Sequence, residues 1–220
     1  MKIGLRAGHS KNCRGASGLR DEWESMNVLY SYVADMLEAN GHTVINCNSA
    51  ASTQNGELSE GANKANSEDL DLFISLHMNS FNGQACGVEA WTFGETSRAN
   101  PVAKRLCDNY AKLGFYNRGV KYNSNYYEMR HIDAPNVIFE TCFCDSAKDI
   151  AIWSSIPWET LALNICNAIE PNISLDGNAP AKEDKERYQV RIYAFSKEEA
   201  EEASKVISEE HSWYNVIEKI

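Results

Sequence analysis

Two histidines and one glutamate stand where apolar, strand-like segments end. "GLRAGHS" reaches His9, "LFISLH" reaches His77 and "NVIFE" reaches Glu140. A single histidine at a strand end is more often a hydrogen-bonded structural residue than a ligand. A glutamate that directly follows three apolar residues is costly to bury unless it is paired or functional. At one edge of a sheet, the two histidines and the carboxylate together indicate a functional site. A catalytic zinc site, with three nitrogen or oxygen ligands and one position for water, is the candidate.

Two histidines need an acidic third ligand, and two glutamates are candidates. Glu22 and Glu24 lie at the start of the first predicted helix, beside the loop that holds His9. The glycine-containing loop in "GLRDEW" leads directly into Glu22. Glu24 lies further round the turn, where the helix dipole favours a solvated acid. Glu22 is therefore the preferred candidate and Glu24 the alternative.

The elements that position these residues alternate between strand and helix. Apolar runs of strand length are followed by segments with apolar residues at helical spacing. The predicted strands are "KIGLRAG", "HTVINC", "LDLFISLHM", "GVEAWTF" and "NVIFETCF", and the predicted helices are "EWESMNVLYSYVADMLEAN", "GELSEGANKANSED", "RANPVAKRLCDNYAKLG" and "IPWETLALNICNAIE". This order predicts an α/β fold with a twisted, mostly parallel sheet and helices on both faces. In such a sheet, functional residues lie beyond the carboxyl ends of the strands.

The chain divides into a large catalytic part and a small tail. We predict a catalytic domain over residues 1–174, a linker over 175–187, and a β-α-β element over 188–220. The linker is rich in Pro, Gly, Asn and mixed charge, without apolar periodicity. In the tail, "YQVRIYAF" alternates as a strand, and Ser196 and Glu199 form a capping box at the start of a helix.

Composition excludes several classes of protein. A net charge of -10 argues against binding to nucleic acid, and no apolar stretch is long enough to span a membrane. No signal peptide opens "MKIGLRAGHS", so we expect synthesis in the cytoplasm. The seven cysteines are odd in number and scattered, so we predict that they are reduced. Cys142 and Cys144 are interpreted as core residues rather than metal ligands.

Five ordered motifs resemble one family. "GLRAGHS", "GLRDEWESMN", "ISLHMNSFNG…GVEAW", "RGVK" and "VIFETCFCD" are similar to the motifs of the zinc-dependent N-acetylmuramoyl-L-alanine amidases, the type-3 amidase family of bacterial wall hydrolases and phage endolysins. The resemblance covers residues 1–174. It implies His9, Glu22 and His77 as zinc ligands and Glu140 as the catalytic glutamate.

The resemblance also implies a substrate and a reaction. The expected reaction is zinc-dependent hydrolysis of the amide between N-acetylmuramic acid and L-alanine in peptidoglycan, by an endolysin or an autolysin. Such an enzyme is expected to act on the bacterial cell wall after its release from the cytoplasm. Asn79 is a weaker candidate for contact with substrate, and Arg118 for contact with a peptide carboxylate. A zinc carboxypeptidase acting on wall peptides and a non-enzymatic wall-binding protein are the alternatives.

The sequence departs from the family pattern in the first motif. Many members have an Asp where this chain has Arg6, and a Gly where it has Ser10. These positions affect the conformation of the loop and the support of the ligands rather than the ligands themselves.

The tail resembles half of a sporulation-related repeat, a domain that binds glycan. A lone β-α-β element has exposed strand edges and little core. We therefore predict that two chains pair their tails as a homodimer, with a tail docked on the catalytic domain as the alternative. Binding to glycan would use aromatic residues such as Tyr193, Trp213 and Tyr214.

Overall fold

The computed structural model describes residues 1–175. This range contains six strands and six helices. They are β1 (Lys2–Ala7), α1 (Glu22–Ala39), β2 (Thr43–Asn46), α2 (Gln54–Asn66), β3 (Leu72–Asn79), β4 (Val88–Thr92), α3 (Asn100–Lys112), β5 (Asn117–Tyr122), α4 (Tyr127–His131), β6 (Asn136–Phe143), α5 (Ala147–Ser155) and α6 (Trp158–Ile169).

The six strands form one sheet in the order β2-β1-β3-β6-β4-β5. β2, β1, β3 and β6 are mutually parallel, whereas β4 runs antiparallel to β6 and carries β5 parallel to itself. The prediction of a mostly parallel sheet is confirmed, with the β4–β6 pairing as the exception, so that β4 and β5 both run opposite to the other four strands. Only the residues 80–87 join β3 to β4, which is too short for the crossover that a parallel return requires. The start of β4 therefore lies at the same edge of the sheet as the ends of β3 and β6.

Helices cover both faces of the sheet, as predicted. The larger core joins α1, α3 and α6 to one face and includes Leu5, Leu29, Leu76 and Phe139. A smaller core lies on the opposite face, where residues of α2 pack with Phe73. Because successive strand residues point to opposite faces, Leu72, Ile74 and Leu76 enter the larger core while their neighbours do not.

Five of the seven cysteines are buried. All seven are free thiols. Cys142 and Cys144 are fully buried in the larger core, as predicted, and burial raises the pKa of both thiols. Neither belongs to a metal-binding cluster among residues 1–175.

The predicted tail and nearly all of the predicted linker lie outside the described residues. The half repeat over 188–220, the paired tails and the contact of Tyr193, Trp213 and Tyr214 with glycan therefore stay predictions. Within the described range, no helix combines the length and the apolar character that crossing a membrane requires.

Asp149 joins the antiparallel strand to the rest of the sheet. It lies in the first turn of α5 and is fully buried. Its Oδ2 accepts hydrogen bonds from the backbone N–H of Gly87 at 2.7 Å and of Phe143 at 2.9 Å. Gly87 directly precedes β4 and Phe143 ends β6, so one carboxylate fixes the start of β4 against the end of its neighbour.

Replacement of Asp149 should destabilise the fold. Asp149→Ala leaves two buried N–H groups without an acceptor, so we expect the free energy of unfolding to fall by about 2–4 kcal/mol. Urea denaturation followed by tryptophan fluorescence measures the change. Lys104→Ala is the control, since it removes only an exposed ion pair with Asp108 and should cost less than about 0.5 kcal/mol. Equal losses in the two variants would contradict the assigned role.

Candidate active site

Three of the predicted residues meet at the carboxyl edge of the sheet. His9 lies in the loop after β1, His77 lies near the end of β3, and Glu22 begins α1. One possible ligand atom from each lies within 4.8 Å of the other two. Nε2 of His9 is 3.2 Å from Oε2 of Glu22, and Nδ1 of His77 is 2.9 Å from Oε1 of the same carboxylate. Two nitrogen atoms and one carboxylate suit zinc, so the donor set fits the predicted metal.

The structure brings Glu22, rather than Glu24, to the histidines. Asp21 is the N-cap of α1 and accepts a hydrogen bond from the N–H of Glu24, which sets the rotation of the first turn. Glu22 is buried and also accepts hydrogen bonds from the backbone N–H of Ala16 at 2.7 Å and of Met78 at 3.1 Å. Glu24 is exposed and pairs with Arg14.

The cluster is electrostatically arranged for a cation. Burial alone raises the pKa of Glu22, but hydrogen bonds and the charges of His77 and His9 hold it well below its usual value. Burial alone lowers the pKa of His77, but Glu22 raises it to about 9. In the metal-free protein, His77 is therefore protonated, and its positive charge lies beside the Glu22 carboxylate. A metal ion at this point replaces that proton.

Two glycines allow the loop over the site to approach closely. A Cβ at Gly8 would lie 2.3–2.6 Å from three atoms of the His77 ring. Gly15 has φ of +74°, and a Cβ there would lie 2.2–2.4 Å from atoms of His9 and Glu22. His9 itself has φ of 70°, a conformation that few residues with a Cβ adopt. The backbone of this loop therefore lies in close contact with the side chains of the candidate ligands.

Glu140 lies beside the cluster on the next strand. It pairs in register with His77 of β3 and with Glu89 of β4. Its Oε2 is buried and has no hydrogen-bond partner. Burial raises the pKa of Glu140 to about 8, against the opposing charge of His77. A carboxyl group with these properties is suited to accept and return a proton near neutral pH.

Glu89 is a site residue that sequence reasoning missed. It is buried and enters from the start of the antiparallel β4. It accepts hydrogen bonds from Asn79 Nδ2 at 3.0 Å, Trp91 Nε1 at 3.1 Å and Arg118 Nε at 2.6 Å, and Lys121 Nζ lies 3.4 Å away. "GVEAW" carries the same signal as "NVIFE", a carboxylate within an apolar strand. The structure thus places Asn79 and Arg118 around Glu89, and their contact with substrate stays a prediction.

Comparison with known proteins identifies the family. A family model described as N-acetylmuramoyl-L-alanine amidase matches residues 3–171, which is most of the chain. The chain belongs to this amidase family. The resemblance predicted from the five motifs is therefore confirmed.

Relatives agree with this membership. An uncharacterized protein, CPE1502, of Clostridium perfringens strain 13 is 33% identical over 195 residues, covering 84% of this chain and 58% of its own length. The N-acetylmuramoyl-L-alanine amidase CwlM of Bacillus licheniformis is 28% identical over 200 residues, covering 89% of this chain and 76% of its own length. This amidase-family chain spans 58% and 54% of the two curated relatives from C. perfringens.

A solved endolysin structure has the same fold. The catalytic domain of the CD27L endolysin, described as targeting Clostridia difficile, superposes with a TM-score of 0.72 at 30% identity. The match covers 77% of this chain and 96% of that domain. The α/β architecture of residues 1–175 is therefore that of an endolysin-like amidase domain.

The close approach of Gly8 to His77 predicts the effect of a single methyl group. Gly8→Ala should push the His77 ring away from Glu22 and weaken zinc binding by at least about tenfold. Competition with a chromogenic chelator measures the affinity. Gly94→Ala is the matched control, because a Cβ there has nothing within 4 Å, and it should bind zinc as the wild type does. Unchanged affinity in Gly8→Ala would show that the ring is not constrained as described.

The raised pKa of Glu140 predicts a pH-dependent stability of the metal-free protein. The folded state keeps the carboxyl proton up to about pH 8, whereas the unfolded chain releases it near 4.5. This stabilisation is complete below about pH 4.5 and is lost as pH rises through about 8. Glu140→Gln cannot titrate, so its Tm relative to wild type should increase between pH 5 and pH 8.5 in chelator. A constant difference in Tm would contradict the raised pKa.

Proposed function

We propose that this member of the amidase family degrades bacterial cell wall, as an endolysin or an autolysin. The reaction is hydrolysis of the amide bond between the lactyl group of N-acetylmuramic acid and the L-alanine of the stem peptide. The convergence of His9, Glu22 and His77, with Glu140 on the adjacent strand, is the observation that carries the proposal. Family membership supplies the substrate class.

His9, Glu22 and His77 would hold a zinc ion. When bound, zinc polarises an amide carbonyl and lowers the pKa of a water molecule at its open position. Glu22 contributes one negative charge and the two imidazoles none, so the site keeps net positive charge for this chemistry. The backbone N–H groups of Ala16 and Met78 fix the carboxylate of Glu22 in place.

Glu140 is proposed as the catalytic acid and base. Its buried oxygen without a partner is free to accept the proton of the attacking water. The pKa of about 8 applies to the metal-free protein, and a nearby cation lowers it, which makes the carboxylate available near neutral pH. The protonated carboxyl then gives its proton to the amine of L-alanine as the carbon–nitrogen bond breaks.

The substrate is proposed to extend across β4 and β5. Arg118 and Lys121 share the single carboxylate of Glu89, so this group of side chains keeps one positive charge. Both cations are partly exposed. A free carboxylate of the stem peptide would be attracted to this charge. Asn79, which donates a hydrogen bond to Glu89, follows His77 by two residues. Peptidoglycan is the proposed partner, and zinc the proposed cofactor.

Two substitutions test the assignment of roles. Glu140→Gln should lower the rate by at least about a hundredfold while zinc remains bound, since only the proton acceptor is lost. His77→Ala should lose both zinc and activity. Metal analysis and lysis of purified peptidoglycan measure the two effects. Glu24→Gln is the control and should keep both, because Glu24 is exposed beside the site.

The products separate the proposed reaction from its alternatives. An amidase leaves stem peptides with a free amino group on L-alanine, which mass spectrometry of the digest identifies. Release of a carboxyl-terminal amino acid instead would indicate a carboxypeptidase. Binding to walls without any new product would indicate a wall-binding protein. Full activity of Glu140→Gln would overturn the mechanism.

A further inference from the structure

The two ring nitrogens of His9 have different surroundings. Nε2 faces Glu22 and belongs to the candidate zinc cluster. Nδ1 is buried and has no hydrogen-bond partner. It lies 3.6 Å from Oε1 of Glu57, slightly beyond hydrogen-bond distance. A small movement of either side chain would join them.

Glu57 is itself held within a buried ionic chain. It lies in the first turn of α2 and is 1% exposed. Its Oε2 pairs with Nη2 of Arg6, whose guanidinium is fully buried at the end of β1. Nη1 of Arg6 pairs at 3.0 Å with Glu128 of α4, which is 2% exposed. The chain of contacts therefore runs from Glu128 through Arg6 and Glu57 towards His9.

The charges within this chain do not balance. Two buried carboxylates face one guanidinium, and an unpaired buried carboxylate is costly. Oε1 of Glu57 faces His9 rather than Arg6. An N–H donor on the His9 ring would therefore satisfy the one oxygen of Glu57 that Arg6 does not reach. An imidazole that binds a metal through Nε2 carries its proton on Nδ1, where it meets this oxygen.

The small residue at position 61 makes room for the arrangement. Gly61 lies one helical turn after Glu57, on the same face of α2. A Cβ at Gly61 would lie 2.8 Å from Nη1 of Arg6, so a larger residue would displace the guanidinium. Arg6 is thus accommodated by specific neighbours.

We propose that Glu57 is a positioning residue that orients His9 for zinc. It accepts the Nδ1–H of His9, fixes the ring with Nε2 towards the metal, and is fixed in turn by Arg6. Histidine ligands of metals almost always donate their other N–H to such a partner. His77 already has one, because its Nε2 lies 2.9 Å from Oγ of the buried Ser75. The inference rests on the proposed function, since it requires the zinc site.

Glu57 and Glu128 form a matched pair for the test. Both are buried and both pair with Arg6, but only Glu57 faces His9. In Glu57→Gln, the amide oxygen faces the guanidinium, which only donates. The amide NH2 then faces His9 and cannot accept the Nδ1–H. Glu128→Gln removes the same charge from Arg6 and leaves the acceptor at His9 unchanged.

The zinc affinity of the full chain, measured by competition with a chelator, decides whether Glu57 positions His9 or only balances the charge of Arg6. Glu57→Gln should bind zinc about 10–100-fold more weakly, whereas Glu128→Gln should stay within about twofold of wild type. The visible absorption of bound Co²⁺ should change in Glu57→Gln alone. Glu57→Asp keeps the charge but retracts it by one methylene, so it should weaken zinc binding less, and it serves if Glu57→Gln does not fold.

Other results would overturn the inference. Equal zinc affinities in the Glu57→Gln and Glu128→Gln variants would show that Glu57 acts only as a counterion of Arg6. A wild-type chain that binds no zinc would refute the proposed function, and this inference with it. A wild type that binds one zinc per chain, with Glu57→Gln unaffected, would refute the positioning role alone.

Discussion

The burial of carboxylates at one edge of the sheet is the constraint on which the rest of this structure depends. Glu22, Glu57, Glu89 and Glu128 are each less than 4% exposed. Burial of an ionised carboxylate is unfavourable unless donors and cations surround it. Each is accordingly met by backbone N–H groups, histidines, arginine or lysine, drawn from separate elements of the chain. Satisfying these groups therefore brings the loops, strands and helices of the site together.

The reversal of β4 follows from a short loop and has a chemical consequence. If β4 were parallel to β6, its first residues, including Glu89, would lie at the opposite edge of the sheet, far from the ends of β3 and β6. Because β4 is antiparallel, its second residue pairs with Glu140 instead. Glu89 then contributes negative charge that raises the pKa of Glu140, alongside the larger effect of burial. One loop of eight residues thus affects both the topology and the acid–base behaviour of the site.

Sequence patterns predicted the parts of this protein that depend on local periodicity. The apolar runs that end at His9, His77 and Glu140 identified β1, β3 and β6, and the carboxyl ends of parallel strands share one edge. β5 was missed because an edge strand with half-exposed side chains lacks an apolar signature. α4 and α5 were missed because helices of five and nine residues carry little helical period.

The remaining site residues depend on contacts between distant parts of the chain. Glu57 lies in a polar helix, and its roles appear only when Arg6 and His9 stand beside it. The antiparallel β4, which brings Glu89 to the site, follows from the length of a connection rather than from the sequence of the strand. Glu89 itself could have been found, since the cost of burying a carboxylate in an apolar strand applies to it as it does to Glu140.

The balance of charge around the cluster gives a physical reason for a divalent ion. Among the described residues, five glutamates and three cationic side chains surround the cluster, the cations being those of Arg6, Arg118 and Lys121. The carboxylates are those of Glu22, Glu57, Glu89, Glu128 and Glu140. With neutral histidines and an ionised Glu140, the excess is two negative charges, which one zinc ion neutralises. Without the ion, burial raises the pKa of Glu140, with a smaller contribution from the charges of Glu22, Glu89 and Glu128, and the Glu22 carboxylate raises the pKa of His77.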